Sequence, residues 1–149
     1  MTRARWLVVA AIAVGFLAAS LLLARWLSTE SSERAQVYAL LRAQARGDVR
    51  DMVDRLDGCS EDARCRATAA ANARRLRRPG AIKILRLDSE TAYALGSATG
   101  TTRVVWGVVD RGVPVVQCVE VTREGTALAG RRISLRALSG PIGSQSSCP

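Results

Sequence analysis

Residues 101–122, TTRVVWGVVDRGVPVVQCVEVT, carry a largely alternating apolar pattern that predicts a β-hairpin. Arg111-Gly112 lies at the centre of this stretch and is expected to form a two-residue hairpin loop. A loop at that point places Trp106 opposite Gln117 on a face that is otherwise apolar. We therefore expect this face to be buried against helices.

Further strands are predicted on both sides of the hairpin. Apolar and β-branched runs between turn signals place them at residues 81–87, 91–96 and 126–138. The apolar residues of the last run change parity, which predicts a bulge near residues 130–132. The C-terminal half is thus expected to form an antiparallel sheet of four to five strands.

Three amphipathic helices are predicted upstream of the strands, and each begins at a capping residue. The expected caps are Ser31 or Ser32 for the first helix, Asp48 for the second and Ser60 for the third. Gly47 is expected to end the first helix, and Pro79-Gly80 the third. Helices followed by an antiparallel sheet indicate the α+β class.

An uncharged apolar stretch, WLVVAAIAVGFLAASLLLA at residues 6–24, precedes these helices. It is long enough for a helix that crosses the hydrocarbon core of a bilayer, and Trp6 and Trp26 bracket it as interfacial residues do. A cleaved signal peptide is the alternative, although its apolar region usually has only about 7 to 15 residues. We expect an uncleaved transmembrane anchor.

These patterns divide the chain into five predicted parts. They are a cytoplasmic tail at 1–5, a transmembrane anchor at 6–27, a polar linker at 28–32, a folded domain at 33–138 and a C-terminal tail at 139–149. Arginines flank the anchor in near balance, so the positive-inside rule does not decide its orientation. A very short N-terminal tail normally stays inside, which places the domain outside the cytoplasm.

The four cysteines, Cys59, Cys65, Cys118 and Cys148, all follow the apolar stretch. Their spacing is poor for a zinc site, and the chain has no histidine to complete one. We expect disulfides between Cys59 and Cys65 and between Cys118 and Cys148, with four buried free thiols as the alternative. Disulfides require an oxidising compartment, so the prediction is a single-pass plasma-membrane protein with an extracytoplasmic domain.

Residues 37–48, VYALLRAQARGD, resemble the first helix of the NTF2-like (cystatin-like, SnoaL-type) superfamily and its turn into the second helix. The order of elements over residues 33–138 is similar to that superfamily too, and many actinobacterial anchored or lipid-linked members begin in this way. The resemblance implies a cone in which about three helices pack on a bent antiparallel sheet.

The same resemblance implies two classes of function. Some members are isomerases or dehydratases that use Asp and His side chains inside the cone, and others are non-enzymatic domains that hold protein partners. Anchored members occur in secretion-channel and mammalian-cell-entry-associated complexes as assembly parts. This chain has no histidine, so no catalytic residue is carried over from the family.

Glu120 is the only acidic residue within a predicted strand and is therefore the one candidate for a general acid or base. The simpler interpretation is a cross-strand ion pair with Arg103. Trp106, Gln117 and Tyr93 form a candidate ligand pocket, because a buried amide on an apolar face needs a partner. Trp106 is alternatively an ordinary core residue.

A basic cluster follows the third predicted helix and carries no acidic residue. It consists of Arg74, Arg75, Arg77, Arg78, Lys83 and Arg86. These residues either bind an anionic lipid, an anionic polymer or an acidic partner, or simply complement the helix C-terminus. Few aromatic residues accompany them, which argues against nucleic-acid binding.

The composition agrees with a folded domain, since 48% of the residues are hydrophobic and the formal net charge is +9. We expect no cofactor and no metal. The preferred function is a membrane-anchored, non-enzymatic module that binds a protein partner or supports an envelope assembly. A small-ligand receptor or enzyme that uses the cone pocket, and an electrostatic tether, are the alternatives.

Overall fold

Helix α1, Arg3–Arg46, runs without interruption from the apolar stretch into the folded domain of the computed structural model. The structure describes residues 3–91, 96–109, 111–126 and 130–148. The predicted start of a helix at Ser31 or Ser32 is wrong, because residues 28–32 are helical. That segment holds no Gly or Pro, so a helix that forms on either side propagates through it.

The stretch Arg5–Ala24 of α1 is long and apolar enough to span a membrane, and none of it is buried within the protein. Later in the helix, Val37, Leu40 and Leu41 are fully buried against the sheet. One helix therefore has an exposed apolar half and a half that is part of the domain core.

Two short helices follow α1: α2, Val49–Arg55, and α3, Ala63–Arg75. Asp48 caps α2 as expected, because its carboxylate accepts the N–H of Asp51 at 3.0 Å. Asp62, and not Ser60, caps α3, and it accepts two backbone N–H groups of the first turn. Carboxylates are strong N-caps, and Asp62 directly precedes the first helical residue.

The strands form one antiparallel sheet in the order β1-β2-β3-β4. They are β1, Ile82–Ser89; β2, Ala98–Val108; β3, Arg111–Thr126; and β4, Gly130–Leu138. Most of the predicted strand at 91–96 lies outside the described residues. The fold class is α+β, as predicted.

The β2–β3 hairpin turns between Val108 and Arg111 and not at Arg111-Gly112. Trp106 consequently lies opposite Val115, so the predicted pairing of Trp106 with Gln117 is wrong by two residues. A shift of two residues keeps every side chain on its predicted face. The face that carries Trp106 is therefore buried, as expected.

The predicted bulge near residues 130–132 is also wrong, because Glu124 pairs regularly with Arg132 there. The register between β3 and β4 shifts instead where Glu120 and Val121 face Ala137 and Leu135. This leaves Arg136 as the extra residue, close to the end of β4. A bulge at either place reverses the parity of the strand.

The inner face of the sheet packs on the helices, and the C-terminal tail covers part of the outer face. Both predicted disulfides are present, with Cα–Cα distances of 5.3 Å for Cys59–Cys65 and 5.7 Å for Cys118–Cys148. Ile142 donates its backbone N–H to Val116 at 2.8 Å before the tail turns back to Cys118. The tail is thus tied to β3 twice.

The near end of the domain is the end around Glu33, and the far end is the end around Gly47. At about 1.5 Å per residue, Glu33 lies about 14 Å and Arg46 about 33 Å along α1 from Ala24.

Candidate functional site

A buried ion pair between Glu33 and Arg123 occupies the near end of the core. Arg123 Nη2 donates to Glu33 Oε2, and both side chains are almost completely inaccessible to solvent. Thr102 Oγ1 donates to Glu33 Oε1 at 2.6 Å, and Arg123 Nη1 donates to the backbone oxygen of Thr91 at 3.0 Å. Neither charge is isolated, as burial requires.

One donor in this cluster is not satisfied. Arg123 Nε is buried and has no hydrogen-bond partner among the residues that the structure describes. An open cavity of about 620 Å³ lies beside it and is lined mainly by polar and charged side chains. Arg86, Asp88 and Arg103 contribute to this lining, and Arg86 and Asp88 form an ion pair at 2.8 Å.

The volume of the near-end cavity is typical of small-molecule sites, but its lining is not. Such sites are mostly apolar, whereas the charges here pair with one another. Arg103 also donates to the backbone oxygens of Ser146, at 3.1 Å, and Ser144, so it holds the C-terminal tail. The cavity walls therefore have structural partners already.

A second polar cluster lies towards the far end and joins the two predicted pocket residues. Trp106 Nε1 donates to Gln117 Oε1 at 2.8 Å, and Gln44 Nε2 donates to the same oxygen at 2.9 Å. Gln117 Nε2 donates to the backbone oxygen of Ser139 at 2.9 Å. The buried amide of Gln117 therefore forms its hydrogen bonds with other groups of the protein and needs no ligand to supply them.

The structure brings two of the three candidate pocket residues, Trp106 and Gln117, together, but as a hydrogen-bonded pair in the core. Trp106 and Gln117 lie on one face and are fully buried, and neither lines a cavity described above. Tyr93 lies outside the described residues. Trp106 occupies the position of a core residue, which was the simpler interpretation.

Glu120 does not form the predicted pair with Arg103. Glu120 lies opposite Thr101 and is exposed, whereas Arg103 lies opposite Cys118. The two-residue shift of the hairpin explains this difference. An exposed carboxylate lacks the burial that prepares a general acid or base for catalysis.

The structure divides the predicted basic cluster. Arg86 pairs with Asp88 and lines the near-end cavity, so it is separate from the others. Arg78 is half-buried and donates to the backbone oxygen of Val113 at 2.8 Å. The remaining members are exposed and form no ion pair within the described part of the chain; they are Arg74, Arg75, Arg77 and Lys83.

Sequence reasoning missed the roles of Glu33, Gln44 and Arg123, although a signal was present. Glu33 and Gln44 lie at helical spacing from Val37, Leu40 and Leu41, which places all five on one face. A helix that began at Ser31 or Ser32, as predicted, would have placed Glu33 in its exposed first turn. The alternation of β3 likewise continues to Arg123 beyond its apolar positions.

No group of three or more His, Cys, Asp or Glu residues that could hold a metal ion is found in the described ranges. Comparisons of this chain with protein-family models, with curated proteins and with solved structures give no match.

Proposed function

We propose that this chain is a single-pass membrane protein whose α+β domain acts as a non-enzymatic module for a partner or an envelope assembly. The observation that carries the proposal is the continuity of α1. The same helix supplies the apolar stretch Arg5–Ala24 and the buried core residues Val37, Leu40 and Leu41. An anchor built in this way holds the domain at a set height above the bilayer.

The two disulfides support an extracytoplasmic position for the domain. Each joins residues that follow the apolar stretch, and such bonds persist in oxidising compartments. The short N-terminal tail then lies in the cytoplasm, and the membrane is the plasma membrane. The proposed topology is thus N-terminus inside and domain outside.

We also propose that the domain is an NTF2-like cone. Its helices precede its strands, and a Gly47-Asp48 turn joins α1 to α2. The helices cover one face of an antiparallel four-stranded sheet. This arrangement supports the likeness of residues 33–138 to that superfamily.

The hydrogen bonds of the buried polar side chains favour a binding role over catalysis, because these side chains are occupied by protein partners. The carboxylate of Glu33 and the amide of Gln117 meet protein donors and acceptors on several sides. Residues that are held in this way fix the packing of α1 on the sheet. The exposed surface is then the part of the domain that is available for recognition.

Crosslinking in intact cells followed by detergent extraction tests this proposal. We expect a discrete complex of constant composition that survives purification of the full-length chain. A chain that is recovered only as an uncrosslinked monomer, at several crosslinker lengths, would contradict a role in an assembly.

A further inference from the structure

The far end of the domain presents a compact surface built from two loops. Residues 76–81 join α3 to β1, and the hairpin turn between Val108 and Arg111 joins β2 to β3. Val109 donates its N–H to the backbone oxygen of Ala81 at 3.0 Å, and Arg78 Nη1 donates to that of Val113 at 2.8 Å. These two hydrogen bonds hold the α3–β1 loop against the hairpin where β2 ends and β3 begins.

The same surface is fastened to α1. Arg78 donates its backbone N–H to the oxygen of Ala45 at 2.9 Å. A Cβ on Gly47 would lie 3.2 Å from Arg77 Cδ, so the loop packs closely on the end of the helix. The surface therefore has a defined position relative to the anchor.

Positively charged side chains at this end of the domain are exposed. Arg77 and Lys83 are exposed and form no ion pair with any described acidic residue. Arg74 and Arg75, in the last turn of α3, add two more such charges. Asp51 of the neighbouring helix α2 is already paired with Arg46 and Arg55, at 2.8 Å each.

Two apolar side chains are exposed on the hairpin side of the same surface. Val113 is 78% exposed and Val109 is 48% exposed, although both flank a well-packed hairpin. Burying such side chains against a partner is favourable, because it removes apolar surface from water. An apolar centre with a charged rim is typical of protein–protein interfaces.

The position of the surface favours a protein over the anchoring lipid. Arg46, beside the surface, lies about 33 Å along α1 beyond the end of the apolar stretch, which is several Debye lengths at physiological salt. Headgroups of the same membrane are therefore too distant for strong attraction when α1 stands upright. An anionic polymer would not use the two exposed valines.

We propose that this far-end surface docks an acidic protein surface with an apolar centre. The residues that define it are Arg74, Arg75, Arg77, Lys83, Val109 and Val113. The inference rests on the proposed partner-binding function and names the part of the domain that performs it. Arg78 positions the loops and is not counted among the contacting residues.

Photocrosslinking in intact cells tests this inference on the full-length chain. A benzophenone amino acid is placed at position 113, and a second version carries it at Gln145, which is exposed in the C-terminal tail. We expect an adduct from position 113 whose crosslinked partner peptide has a net negative charge.

Charge reversal makes the test specific. Arg77→Glu with Lys83→Glu should reduce the adduct at position 113 at least about tenfold, because like charges then face each other across the interface. Arg64→Glu with Arg132→Glu makes the same change in net charge at exposed residues elsewhere and should leave the adduct within about twofold. Equal thermal unfolding of the two variants excludes loss of folding as the cause.

The outcomes separate this inference from the proposed function. An adduct at Gln145 but none at position 113 would overturn the inference and leave the partner-binding function standing. Adducts at neither position would count against both. A basic partner peptide, a second copy of this chain, a lipid adduct, or equal losses in the two charge-reversal variants would each overturn the inference alone.

Discussion

Glu33 and Arg123 meet inside the domain although they are separated by 90 positions in the chain. Glu33 lies on the buried face of α1, and Arg123 ends the inward-facing alternation of β3. Their ion pair therefore lies at one end of an interface between α1 and β3 that is otherwise mostly apolar. Removal of either partner leaves a buried charge without compensation.

We predict that Arg123→Met lowers the free energy of unfolding by about 3–5 kcal/mol, because Glu33 remains buried and unpaired. Adding Glu33→Leu to this variant should restore at least half of the loss. Denaturant unfolding in detergent measures the stability of both variants by the fluorescence of Trp106. All proteins in this experiment carry Trp6→Phe and Trp26→Phe, so that Trp106 is the only tryptophan. A single variant that costs less than about 1 kcal/mol would contradict the role given to the pair.

The ion pair between Glu33 and Arg123 could not be predicted from the sequence, and the reason is physical. Charged side chains are almost never fully buried unless they are paired, and the partner of Glu33 lies on a distant strand. The spacing of Glu33 along α1 and of Arg123 along β3 agrees with inward faces, but periodicity cannot show that the two side chains meet. The disulfide pairing could be predicted, because four cysteines allow only three pairings. Cys59–Cys65 would fix a turn between two helices, and Cys118–Cys148 would tie the C-terminal tail to a strand.

At the scale of elements, α1 connects the apolar stretch directly to the folded domain. Its polar segment at residues 28–32 was expected to be a linker, since serines and threonine favour helix ends over helix interiors. Propensity differences of a few tenths of a kcal/mol per residue do not end a helix that is fixed on both sides. Tertiary packing of Val37, Leu40 and Leu41 fixes one of those sides.

We predict a narrow distance distribution between spin labels at Leu22→Cys and Arg42→Cys, centred on about 30 Å between the backbones. The native cysteines are all in disulfides and do not react with the label. Ser31→Pro should broaden or shorten the distribution, because proline removes a helical hydrogen bond and clashes with the preceding turn. Ser31→Ala is the matched control and should leave it unchanged.

Pulsed electron resonance of the protein in lipid nanodiscs makes this measurement. A broad distribution in the chain with native Ser31 would show that α1 bends between the apolar stretch and the domain. The height of the far-end surface above the bilayer would then be undefined.

The caps give a second prediction at this scale. Asp62→Ala should lower the free energy of unfolding by about 1 kcal/mol, since two backbone N–H groups of α3 lose their acceptor. Ser60→Ala should change it by less than about 0.5 kcal/mol. Trp106 fluorescence measures the unfolding of both variants. A larger loss of stability in Ser60→Ala than in Asp62→Ala would show that Ser60 is the cap.

The hairpin shows where pattern reasoning ends. Alternation identified the buried face of β2 and β3 correctly, because that face depends only on parity. The register depends on where the chain turns, and Arg111-Gly112 was a plausible but incorrect turn. That error also produced the mistaken pair between Arg103 and Glu120.

At the scale of the whole molecule, the two disulfides close loops of different length. Cys118–Cys148 spans 30 positions and ties the tail to the sheet, whereas Cys59–Cys65 spans 6. Loop-closure entropy predicts a loss of about 3–4 kcal/mol for Cys118→Ala with Cys148→Ala and about 2 kcal/mol for Cys59→Ala with Cys65→Ala. Denaturant unfolding of the two double variants checks this order, and equal losses would contradict it.

We propose above that the domain is anchored by α1 and lies outside the cytoplasm in oxidised form. Labelling of intact cells with a membrane-impermeant thiol reagent tests it most directly. Cys65 and Cys148 are only partly buried, so both should react after reduction and neither before it. Thr2→Cys, in the N-terminal tail, is the control and should react only in permeabilised cells. Labelling of the native cysteines that needs permeabilisation but no reduction would contradict the account, since it would place a reduced domain in the cytoplasm.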